Sequence, residues 1–163
     1  MTAKKHHAQD KNQFQRYFRL MPRHSSADLL ILKGHLLIEE QLQLIITEHF
    51  GSGDFLDDAR FSFSQKFHIV KAIAGNTGMW PQIWRAIDKL NKLRNSTAHS
   101  AEAEDLAKEI DLFISEWEEE RYKPSATRKE RTSRLRKAID GIFGGLLAVQ
   151  KVEEYKRQKP TVG

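Results

Sequence analysis

Apolar residues recur along this chain mostly at steps of three and four. Leu29, Leu32, Leu36, Ile38, Leu42, Ile45 and Ile46 form the longest such row, with Glu39, Glu40 and Gln43 set among them. That spacing fits the turn of an amphipathic helix rather than the two-residue alternation of a half-buried strand. No segment alternates convincingly, so the pattern predicts an all-α protein.

Breakers and caps divide the chain. A first short helix is expected over 11–20, stopped near Pro22. Ser26 and Asp28 offer N-cap oxygens to the long apolar helix behind them, and Gly51-Ser52-Gly53 ends it. Ser62 or Ser64 can cap a third helix that sets Phe63, Phe67, Val70 and Ile73 in one row. A fourth starts near Trp80-Pro81, since a first helical turn tolerates proline, and carries Ile83, Ile87 and Leu90. A fifth, about Glu104 to Arg121, places Leu106, Ile110, Phe113, Ile114 and Trp117 on an acidic background. At these spacings Trp80, Trp84 and Trp117 read as core residues.

Beyond Lys123-Pro124-Ser125 the charge inverts. Residues 128–137, RKERTSRLRK, hold six basic residues and one acidic one. They lead into an apolar helical segment with glycines at 141, 144 and 145, which lower helix propensity and point to close packing or a kink. The expected organisation has three parts. Residues 1–25 form an extension with a short helix, and 26–121 an up-and-down bundle of four to five core helices. Residues 122–163 form a basic C-terminal helical extension packing on that bundle. The basic run reads either as a face paired with the acidic fifth helix or as an arm for phosphate contacts.

Composition narrows the chemistry. With 163 residues, 30% charged and 39% hydrophobic, the chain suits one polar domain with a real core. The absence of cysteine excludes a disulfide scaffold, a thiolate metal site and a cysteine nucleophile, and it suits a reducing cytoplasm, the expected location. No apolar run approaches the roughly 18 residues of a membrane span, and the basic N-terminus lacks the apolar core of a secretory signal; no membrane partner is expected. The seven histidines show no metal-ligand spacing, and no glycine-rich phosphate loop or nucleophile elbow occurs, so neither metal nor cofactor is expected. His35 reads as a partly buried structural histidine. The formal net charge of +5 mildly favours a polyanionic partner.

The fourth helix ends in KLNKLRNSTAHS, residues 89–100. Ile83, Ile87 and Leu90 step by four and three, so a further step of four brings the row to Arg94. His99 lies about 140° further round, at roughly 100° per residue. Two readings are open at this point. In one, Arg94 pairs with a carboxylate such as Glu39 or Glu40, and His99 sits where a helix C-terminus favours a cation. In the other, Arg94 and His99 serve chemistry.

LRNSTAH resembles the signature of the HEPN superfamily (higher eukaryotes and prokaryotes nucleotide-binding): an arginine, a polar residue, a short spacer and a histidine, here Arg94, Asn95 and His99. The long helix with LLIEEQL and the following FSQKFHIVKAI helix are also similar, and the likeness spans roughly residues 28–117. It implies a helical bundle that dimerises so that two motifs meet in one cleft. It further implies a metal-independent endoribonuclease of a toxin or defence system, with RNA as substrate. An antitoxin protein, nucleotidyltransferase-like or other, would be a further partner. His99 would then be the acid–base residue, Arg94 the phosphate clamp, and Asn95 the residue that orients His99 or the substrate. Lys92, Lys66, Arg128 and Arg134 are the expected substrate contacts, with Lys66 facing the same cleft. The alternatives are a catalytically inactive binding or regulatory module on the same fold, and an RNA-binding protein that acts through its basic C-terminal helix.

Overall fold

The computed structural model describes residues 12–23, 26–51, 59–75, 81–97 and 103–158. Within them lie six α-helices and no strand. We number them α1 (residues 12–20), α2 (Ala27–Phe50), α3 (Phe63–Ala74), α4 (Pro81–Thr97), α5 (Ala103–Glu118) and α6 (Arg128–Gln158). A short 3-10 turn, Glu119–Arg121, follows α5.

The helix ends are written in local chemistry. Ser26, rather than Asp28, caps α2 by accepting the Leu29 N–H at 3.4 Å. At the other end Gly51 adopts a left-handed conformation (φ 74°) and donates its N–H to Thr47 O at 2.9 Å, a conformation that only glycine takes without strain. Ser62 starts α3 with a reciprocal capping box: its hydroxyl accepts from Gln65 N, and the Gln65 amide oxygen accepts from Ser62 N.

The core runs through all six helices. Tyr17 and Met21 are fully enclosed, which ties α1 and the residues just after it into the bundle. The Tyr17 ring stacks on Phe143 with centroids 4.0 Å apart, and its hydroxyl donates to Asp140 Oδ1 at 2.7 Å. The segment after residue 122 supplies the longest helix of the molecule, and Leu135, Ala138, Ile139, Ile142 and Leu146 of that helix are completely buried. Two of its three glycines, Gly141 and Gly145, mark close approach. A Cβ at Gly141 would stand 2.3 Å from the Trp117 ring, and one at Gly145 2.1 Å from Ile83 Cδ1. Gly34 of α2 is pressed against Ile139 in the same way.

These contacts also fix directions. Gly34 lies at Ile139 and Glu48 at Arg157, so α2 and α6 run side by side in the same sense. His35 meets Asn91 while Gly145 meets Ile83, so α4 runs against them. The starts of α2 and α6 and the end of α4 therefore share one end of the bundle.

Two residues of the basic run of α6 pair with the acidic flank of α5. Arg131 binds Asp111 at 2.9 Å, and Arg134 grips Glu118 through two nitrogens while its ring-facing side covers Tyr122. Among the described residues, no helix is long and apolar enough to cross a membrane.

One pattern reading needs correction. The apolar row of α2 contains two faces. Leu30, Ile31, Leu37, Ile38, Leu42, Ile45 and Ile46 are buried, whereas Leu29, Leu32 and Leu36 remain 39%, 43% and 48% exposed. The helix is apolar nearly all round at its start, so spacing alone could not say which side meets the core.

Candidate functional site

The buried face of α4 is Ile83, Ala86, Ile87, Leu90 and Leu93. Arg94 continues the row of Ile83, Ile87 and Leu90 but stands in the last turn of the helix, where it is exposed. Arg94 therefore does not enter the core. Nor does either expected carboxylate take it: Glu39 accepts from Lys66 Nζ at 2.9 Å and Glu40 from Arg16 Nη1 at 2.9 Å. Instead Arg94 Nη1 donates to its neighbour Asn95 Oδ1 at 3.2 Å. The Thr97 hydroxyl donates to Arg94 O at 2.6 Å and closes the last turn beneath the guanidinium. His99 lies outside the described residues, as do His24 and Trp80.

A second histidine stands beside this turn. His35 is only 6% exposed. Its ring stacks on Phe63, centroids 4.2 Å apart, and Nε2–H donates to Asn91 Oδ1 at 3.0 Å. Burial lowers its pKa and the positive charge of Arg94 lowers it further, outweighing the Asn91 bond and the charge of Glu39. The ring is therefore neutral around pH 7. His35 thus feels both Arg94 and the Glu39–Lys66 pair. The junction of α2, α3 and α4 carries a constellation of three polar pairs, His35–Asn91, Glu39–Lys66 and Arg94–Asn95, toward the end of the motif helix.

The predicted substrate contacts separate into two groups. Lys66 joins the constellation through Glu39, with its side chain only 15% exposed. Lys92 projects from α4 and holds Asp88 one turn away at 2.7 Å. Arg128 and Arg134 sit near the start of α6, and Arg134 faces the end of α5. Arg134 places four of its five N–H donors on Glu118, Lys123 O and the Ser125 hydroxyl, all within its own molecule. Reading the sequence by motif missed Asn91 as the partner of His35, and Lys66 as the partner of Glu39. One signal was available: Glu39 follows His35 by one helical turn, as Asn95 follows Asn91.

The fold and site together define a class: an all-α bundle with a cationic, amide-bearing helix end over a buried neutral imidazole. Compared with known proteins, the chain matches no family model, no curated protein and no solved structure.

Proposed function

We propose that this chain is a metal-independent endoribonuclease of the HEPN type, working as a homodimer in a toxin or defence system. The observation that carries the proposal is the last turn of α4. It presents Arg94 and Asn95 to solvent, next to the neutral His35, and the chain reaches His99 two residues after Thr97. Histidine can take a proton from a 2′-hydroxyl or give one to a leaving oxygen near neutral pH. Arginine's planar fork matches phosphate oxygens as negative charge builds on them. In this reading His99 is the acid–base residue, Arg94 the phosphate clamp and Asn95 the orienting amide, while Lys66 and Lys92 supply positive charge to flanking phosphates.

The exposed leucines support the dimer. Leu32 and Leu36 lie a step round α2 from Glu39, so the apolar strip borders the polar constellation. A second copy covering Leu29, Leu32 and Leu36 would bring two motifs toward one cleft. An antitoxin protein would act by masking the same end of the bundle. RNA binding through the start of α6 has weaker support, because Arg131, Arg134 and Arg136 already have carboxylate partners.

Purified protein should cleave RNA in EDTA. His99→Ala and Arg94→Ala should each lower the rate by roughly 10²–10³, the usual size of a lost acid–base or charge-stabilising group. Cleavage by His99→Ala at the wild-type rate sinks the assignment. Growth arrest on expression, relieved by Arg94→Ala, tests the toxin role separately.

A further inference from the structure

A cavity of about 680 Å³ opens between the start of α2 and the start of α6, and no residue of α4 lines it among the described residues. Its lining includes Arg23, Arg128, Lys129 and Arg136, together with the hydroxyls of Ser26 and Ser133, and no carboxylate. Arg136 is fixed in place by Asp140 and by a hydrogen bond to Pro22 O. Among the described residues, Arg23, Arg128 and Lys129 have no acidic partner. Three like charges gathered round one concavity repel each other, and an occupant of opposite charge would relieve that. Two helix N-termini add to the same field: Ser26 and Thr127 cap α2 and α6 at this end. Pro22 and Leu30 give the cavity an apolar wall beside its cations.

We infer that this cavity is a binding site for a compact ligand carrying two or more linked phosphates. Arg136 forms its anchored floor, and Arg23, Arg128 and Lys129 close on the phosphates from the rim. A concave pocket of this volume suits a small polyanion better than an extended strand. Such linked phosphates occur in inorganic polyphosphate and in the phosphate chain of a nucleotide. The inference does not rest on the ribonuclease reading, since no residue of the α4 motif takes part.

Calorimetric titration of the full chain at low salt with inorganic triphosphate and with ATP tests it. One-to-one binding is expected, weakened at least tenfold by the double variant Arg128→Glu/Lys129→Glu. Both reversed positions are exposed, and circular dichroism of the variant should match that of the parent. ATP binding tenfold tighter than triphosphate assigns the apolar wall to a nucleoside; equal affinities assign the site to inorganic polyphosphate. No binding of either at millimolar concentration overturns the inference. So does binding indifferent to the charge reversal, or binding of an RNA strand alone.

Discussion

His35 and Arg94 are coupled through space, and the coupling has a sign that can be measured. Arg94 helps to hold the imidazole below its ordinary pKa. Arg94→Ala should therefore move the His35 titration upward, read from its ring-proton NMR shift; no movement would separate the two residues. The lowered value also links to stability. The unfolded chain takes a proton on this ring first, so the fold loses stability as pH drops from about 7 through the ordinary histidine range toward the folded value. His35→Gln, which can still donate to Asn91, should flatten that part of a melting-temperature profile. A second window lies lower. Burial opposes ionisation of Glu153, but hydrogen bonds from Lys156 and His49 outweigh it and hold the carboxyl below its usual range. Its contribution is present above the ordinary glutamate pKa and is lost as pH falls through the folded value. Glu153→Gln should weaken the protein at pH 7 and reduce its acid sensitivity below about pH 4.5, as followed by urea unfolding.

Elements show why two similar glycines have opposite prospects. Gly141 faces a rigid indole 2.3 Å from the place a Cβ would occupy, whereas Gly144 has its nearest neighbour, Phe14, at 4.0 Å. Gly141→Ala should destabilise by about 1–3 kcal/mol through overpacking. Gly144→Ala should stabilise by roughly 0.5–1 kcal/mol, because alanine holds a helix better. Urea denaturation of both variants checks the contrast. The same elements mark what the sequence could disclose. Caps at Ser26, Gly51 and Ser62 were legible because short polar side chains and glycine act locally. The exposed side of α2 was not, since Leu29, Leu32 and Leu36 obey the same spacing as the buried row. Arg94's exposure was also hidden, because helical spacing gives a residue's face and not how far along the helix its neighbours reach. The polar constellation was unreadable for a different reason: His35 and Asn91, 56 positions apart, meet only once the chain folds back.

Across the whole molecule, the leucine strip and the polar constellation make a single argument about assembly. Leu32→Glu with Leu36→Glu places charge where a second copy would dock, on residues that are already exposed and contribute little to the core. Light scattering should show a monomer, and RNA cleavage should fall with it while the circular dichroism stays that of a helical protein. A dimer that survives this change would move the interface elsewhere.

The side-by-side course of α2 and α6 has a consequence for the order in which the chain becomes a protein. Gly34 and Ile139, which touch, are separated by more than a hundred residues. A ribosome that has released α2 has yet to make the helix that covers most of it. Contacts of such long sequence separation slow folding, and until they form both faces of α2 are open to solvent. The nascent chain thus displays its outer leucines and its core leucines together, which makes the interval before α6 emerges the time of greatest exposure to wrong partners.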